Sequence, residues 1–151
     1  MFSIDLTMEK ESILKQDPGF NFYVASRLIT QAYREPLEAL GLTYPQYLVM
    51  LVLWEEDGQM VSQIGNKLQL DSGTLTPLLK RLESINLVKR ERSEEDERKV
   101  VIQLTYPGKS LQNKAQMISE TIMEKLNKWT DRDRSRLKSL MDKVVEDLSN
   151  Q

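Results

Sequence analysis

The chain has 151 residues, 40% of them hydrophobic and 29% charged, with six glycines and five prolines; this is the size and balance of one compact globular domain, and it excludes a disordered or fibrous chain. There is no cysteine and no histidine, which removes disulfides, Cys-based zinc sites, thiol nucleophiles and imidazole acid–base chemistry together, so no cofactor and no metal are expected. The net charge of −2 hides an uneven distribution: residues 1–70 carry five basic groups against nine carboxylates, whereas residues 71–110 carry eight against seven. A local basic surface is therefore expected in the second segment.

Met1-Phe2-Ser3-Ile4-Asp5 has no basic stretch followed by an apolar one, so no secretory signal is expected there. The longest apolar run, Tyr47 to Trp54, falls well short of the ~20 residues that span a bilayer. A cytoplasmic location with no membrane partner follows as the expectation.

In chain order, Phe20, Tyr23, Val24, Leu28 and Ala32 recur at helical spacing and predict a helix over 17–40 that ends before Gly41. Thr43 then precedes Pro45, a cap followed by a residue tolerated in the first turn, and the run to Trp54 is apolar on nearly all sides and should be buried. After Glu55-Glu56-Asp57-Gly58, a short helix is marked by Val61, Ile64 and Leu68. A second begins almost at once, capped by Asp71 or Ser72, with Leu75, Leu78, Leu79, Leu82 and Ile85 on one stripe. Two short helices joined by a tight turn read as helix-turn-helix. Pro77 conflicts with the second, since it removes a backbone donor and crowds the carbonyl four residues earlier; the readings are a slightly opened first turn or a helix starting only near Thr76.

From Leu87 to Leu104 the period changes to two, with Val88, Arg90 and Arg92 on one side of the outgoing strand and Val101 and Gln103 alternating with Ile102 on the return. The connection Ser93–Arg98 is polar and longer than a tight turn, the shape of a wing. Leu111, Ala115, Ile118, Ile122 and Leu126 then form one stripe. Leu137, Leu140, Met141, Val144, Val145 and Leu148 form another, behind a capping box at Thr130-Asp131-Arg132-Asp133. The first and the last two helices each expose an apolar face that a small core cannot cover, and a second copy of the chain is the simplest cover.

This order of elements, with Asp96-Glu97-Arg98 followed by Leu104-Thr105-Tyr106-Pro107-Gly108-Lys109, resembles the MarR family of bacterial transcription regulators and its wing signature, an acidic residue and an Arg ahead of a Leu-Thr-x-x-Gly turn. The strings Leu42–Leu48, Leu70–Lys80 and Arg92–Arg98 are similar to its organic-hydroperoxide-sensing subgroup. The resemblance is close over Phe20 to Leu111 and a matter of pattern in the flanks. It implies a mainly α fold with a small β-hairpin wing: a winged helix-turn-helix DNA-binding lobe at 43–110, with dimerisation helices at 17–40 and 111–151, in one domain. It implies a homodimer that binds a double-stranded, inverted-repeat operator, repression being the commoner outcome.

Placed on the matching positions, the DNA contacts are Ser72, Thr74, Thr76, Lys80 and Arg81 on the recognition helix, entering the major groove. Arg98 would enter the minor groove, oriented by Asp96, with Arg90, Arg92 and Lys99 near phosphates. The effector pocket would take Gly19, Tyr23, Tyr33, Tyr44 and Tyr47. The subgroup's sensor cysteine falls at Gly19, and without sulfur neither a sulfenic acid nor a mixed disulfide forms. Either the pocket serves a non-covalent small molecule, or the regulator works without that sensor, or Gly19 is a substitution.

Other readings of the same residues are blander. A lone Arg98 is a solvated loop charge, Glu94–Glu97 a solvated turn before it is a Mg²⁺ or Ca²⁺ site, and Ser12-Ile13-Leu14-Lys15 an accidental match to the S-x-x-K of acyl-transfer enzymes. The tyrosines serve as well in packing. The rival functions are a dimeric protein-interaction module on the same fold, without specific DNA binding, and a hydrolase, whose residues form no constellation.

Overall fold

A computed structural model of the chain describes residues 12–150; the N-terminal reading of residues 1–5 lies outside them. The chain forms two compact units, one ending at Lys109 and the other beginning at Ser110.

In the first unit, a turn of helix, α1 (Ile13–Gln16), precedes α2 (Pro18–Glu38). Asp17 caps α2 by accepting the Phe20 N–H at 3.1 Å, and Pro18 fills a first-turn position whose missing donor costs nothing. The end of α2 is a Schellman turn: Leu42 N–H reaches Leu37 O at 3.0 Å and Gly41 N–H reaches Glu38 O at 3.0 Å. Such a turn needs a left-handed residue, supplied by Gly41 at φ 72°. Next, α3 (Tyr44–Glu55) opens with Thr43 N–H donating to Gln46 Oε1 at 2.9 Å and buries Tyr47, Val49, Met50, Val52 and Leu53. That burial matches its all-round apolar sequence.

β1 (Gln59–Met60), α4 (Val61–Leu68) and α5 (Ser72–Ser84) follow. The same Schellman turn ends α4 with Gln69 left-handed (φ 54°) and α5 with Asn86 left-handed (φ 60°). α5 starts at Ser72 and runs through Pro77, so a start near Thr76 is not realised. The cap explains it: Asp71, six residues ahead of Pro77, accepts the Thr74 N–H at 2.8 Å and fixes the first turn before the proline is reached. Leu75, Leu79 and Leu82 turn inward as the stripe predicted.

β2 (Val88–Arg92) and β3 (Val100–Leu104) make the wing, in antiparallel register with Val88 opposite Leu104, Arg90 opposite Ile102 and Arg92 opposite Val100. Val88, Arg90 and Arg92 therefore share a face, as their spacing required. β1 adds to the far edge of β3, giving the order β1-β3-β2. The expected hairpin is thus part of a three-stranded sheet, because two residues are too short to print a period in the sequence. A short helix, α6 (Tyr106–Ser110), begins within the Leu-Thr-x-x-Gly string and runs two residues past it.

α7 (Gln112–Lys125) and α8 (Asp131–Ser149) complete the chain. α7 buries Ala115, Ile118 and Ile122, three members of the expected stripe, while α8 buries no residue. The Thr130 box forms as read: Asp133 N–H donates to Thr130 Oγ1 at 3.2 Å and Thr130 N–H to Asp133 Oδ2 at 3.0 Å. Among the described residues, no helix is long and apolar enough to cross a membrane.

Candidate nucleic-acid interface

With Leu75, Leu79 and Leu82 facing the core, α5 turns Thr76 and Lys80 out on one flank and Thr74 and Arg81 on the other, with Pro77 between them. Ser72, Thr74, Lys80 and Arg81 are exposed and Thr76 is half-buried. Thr74 is committed to the cap, its hydroxyl donating to Asp71 Oδ2 at 3.0 Å, which leaves it able only to accept from an outside donor. These bonds hold the Asp71 carboxyl below the usual carboxylate range, the Thr74 N–H contributing most and its hydroxyl next. The exposed hydroxyls thus stand at the positive end of a helix whose own acidic cap is satisfied internally.

The wing tip is tied by Ser93 N–H to Lys99 O and Lys99 N–H to Asp96 O, both 2.8 Å. Asp96 is the hub, accepting from Arg98 N at 3.1 Å and from Arg98 Nε at 3.4 Å. The Arg98 side chain is 93% exposed, so this pair orients the guanidinium without burying it. Arg92 and Lys99 are exposed; Arg90 is half-buried, and its Nε is enclosed without a hydrogen-bond partner.

A cleft of about 560 Å³ joins the two elements, with Ser72 and Thr76 of α5 on one wall and Arg90, Arg98 and Lys99 of the wing on another. Ser62 and Asn66 of α4 also line it. Neither was singled out from sequence, although both are polar and one helical turn apart. Thr74, Lys80, Arg81, Arg92 and Asp96 lie outside the cleft lining. Among the described residues, no group of three or more acidic side chains converges on a metal-sized site.

The expected effector residues fall into a ring cluster and a groove that share Tyr44, with Gly19 in neither. Tyr33, Tyr44 and Tyr47 form a ring cluster, with centroids 4.9 Å apart for Tyr33–Tyr44, 5.7 Å for Tyr33–Tyr47 and 6.2 Å for Tyr44–Tyr47. Tyr47 is 2% exposed, a core residue that also meets Trp54 edge-on. Burial, then the neighbouring Tyr33 and Tyr47, push the Tyr44 hydroxyl up from its ordinary range. Tyr23 and Tyr44 line a groove of about 800 Å³ along α2 and the start of α3, together with Arg27, Thr30, Arg34 and Thr43. Gly19, exposed in the first turn of α2, does not line it, and the two arginines were not anticipated. Arg34 is engaged by Glu38 at 2.9 Å, which leaves Arg27 as the groove cation without a carboxylate among the described ion pairs.

Residues 31–117 match the family model described as transcriptional regulator SarA/Rot. The chain is similar to the organic hydroperoxide resistance transcriptional regulator of Bacillus subtilis, 47% identical over 129 residues that cover 85% of this chain and 87% of that one. It is similar to the HTH-type transcriptional regulator SarZ of Staphylococcus epidermidis, 38% identical over 141 residues covering 93% and 90%. Among solved structures it is similar to reduced AbfR bound to DNA, 40% identical with a TM-score of 0.77, covering 91% of this chain and 93% of that one.

Proposed function

The chain belongs to the MarR family of DNA-binding transcriptional regulators, and from that membership we propose that it is a cytoplasmic homodimeric repressor of an inverted-repeat operator, released by a small-molecule effector. The observation that carries this reading is the cleft in which Ser72 and Thr76 of α5 meet Arg90, Arg98 and Lys99 of the wing. The interaction-module reading gives no reason for that convergence, and a 40% identical structure is described as bound to DNA.

In each protomer the outer face of α5 enters the major groove. Ser72, Thr74 and Thr76 meet base edges or phosphates, and Lys80 and Arg81 the backbone or a guanine. Arg98 enters the neighbouring minor groove in the orientation Asp96 gives it, and Arg90, Arg92 and Lys99 neutralise phosphates. Two copies present two recognition helices to major grooves about 34–36 Å apart. These 151 residues contain no thiol, so release does not run through sulfenic acid. A ligand in the α2–α3 groove works by favouring a spacing of the two helices that no longer fits the operator, which requires tighter binding to free than to DNA-bound protein.

The test is fluorescence anisotropy on the regulator's own upstream DNA against scrambled duplex, across a salt series, with and without an organic hydroperoxide. Specific binding that falls steeply with salt and ignores peroxide is expected. Arg98→Ala is expected to weaken operator binding by about 1–3 kcal/mol per half-site. Equal affinity for scrambled DNA, or an Arg98→Ala effect confined to thermal stability, overturns the reading.

A further inference from the structure

Only Ile85, Asn86 and Leu87 separate α5 from β2, so the pitch of the wing against the recognition helix is set at one corner. The backbone closes that corner with Asn86 N–H on Glu83 O at 2.9 Å and Leu87 N–H on Leu82 O at 3.0 Å. A third tie comes from a side chain: Arg90 N–H donates to Glu83 Oε1 at 3.1 Å.

The sheet explains why that donor is free. β2 lies at the edge, in the order β1-β3-β2. Leu104 N–H goes to Asp57 Oδ1 at 2.7 Å, which makes Val88 and Leu104 a pair without mutual hydrogen bonds. Antiparallel pairs alternate, so Arg90 and Ile102 are the same kind of pair, and the Arg90 N–H points away from β3. Glu83 satisfies it from the last turn of α5. An exposed carboxylate on a DNA-reading helix costs affinity through repulsion of phosphates, and this bond gives it a use that a solvated charge lacks.

We propose that Glu83 is a positioning residue for DNA recognition: by holding the Arg90 N–H it locks the wing at one pitch to α5, so that Arg98 reaches the minor groove when α5 sits in the major groove. The inference rests on the reading of Arg98 as a groove contact. The lever is long enough to matter, because a strand of five residues spans about 17 Å and a tilt of about 10° at its base displaces the far end by about 3 Å.

The test compares Glu83→Gln, which keeps an acceptor oxygen and loses the charge, with Glu83→Ala, which loses both. Each is made in the wild-type and the Arg98→Ala background and titrated with operator DNA across a salt series. In the wild-type background Glu83→Ala is expected to bind about tenfold more weakly than Glu83→Gln, a variant of the same net charge. In the Arg98→Ala background the gap is expected to close to within about twofold. Equal affinities of the two variants in the wild-type background overturn the proposal. A tenfold gap that persists without Arg98 overturns it too, placing the effect on α5 itself. If wild-type protein does not discriminate operator from scrambled duplex, the proposed function fails, and the lock is read separately from amide exchange at Arg90. Faster exchange in Glu83→Ala than in Glu83→Gln supports it, and equal rates overturn it.

Discussion

At Gly108 a hydrogen atom in place of a side chain decides whether the base of the wing can close. A Cβ there would collide with Leu87 O and stand 3.0 Å from the Leu87 carbonyl carbon, so backbone meets backbone at the α5–β2 corner. The neighbours fasten the approach: Thr105 Oγ1 donates to Asn86 O at 2.6 Å and accepts the Gly108 N–H at 3.1 Å, while Trp54 Nε1 donates to Gly108 O at 2.9 Å. These contacts are the physical content of the Leu-Thr-x-x-Gly string, whose threonine and glycine clamp one corner from two sides. Gly108→Ala is expected to cost about 3 kcal/mol, at the upper end for overpacking, because the atoms in the way belong to the main chain and cannot rotate aside. Urea unfolding followed by tryptophan emission measures it, and a loss below about 0.5 kcal/mol, the usual scale of a surface substitution, would show that the corner yields.

For the elements, caps matter more than propensity, and the acidic caps make stability depend on pH. The Asp71 carboxyl lies below its ordinary range through its bonds from Thr74, and the Asp133 carboxyl does so through Thr130. A folded pKa below the unfolded value near 3.9 stabilises fully above that value and is lost as pH falls through the folded one. The melting temperature should therefore fall on acidification through this window. Asp71→Asn, which keeps an acceptor for the Thr74 N–H, should flatten its share of the slope and leave that of Asp133; an unchanged slope would show that Asp71 does not titrate with folding. Signals this local are what made α2, α3, α5, α8 and the wing legible: a cap, a stripe, a change of period. What stayed hidden is non-local or carries no period. β1 exists only by pairing Gln59 with Ile102, and α6 is five residues long. Arg27 and Arg34 were unremarkable on the polar side of α2 until the groove formed around them, and Tyr47 shares the spacing of a pocket tyrosine but points into the core. Glu83 reads as one more solvated charge until its partner seven residues on is seen.

On the scale of the whole molecule, α8 and α2 each leave large apolar side chains exposed. α8 carries Leu140 at 58%, Val145 at 50% and Leu148 at 65% exposure on one stripe, and α2 exposes Phe22 and Leu28. Stripes of this size are rare on a monomer and characteristic of an interface. In the proposed homodimer a two-fold axis places each such residue in the interface twice. Replacing Leu140 by Lys then removes about 2 kcal/mol of apolar burial per protomer, counted twice. Sedimentation equilibrium should find the wild-type protein dimeric at micromolar concentration and Leu140→Lys dissociating at concentrations at least tenfold higher. Arg98→Ala, at the exposed wing tip, should leave the dimer intact. Operator affinity separates the two variants further: the Arg98→Ala dimer still engages both half-sites at once, whereas a Leu140→Lys monomer holds one half-site alone and loses the linked second contact. Wild-type protein sedimenting as a monomer would overturn the homodimer and, with it, the matching of two recognition helices to successive turns of DNA.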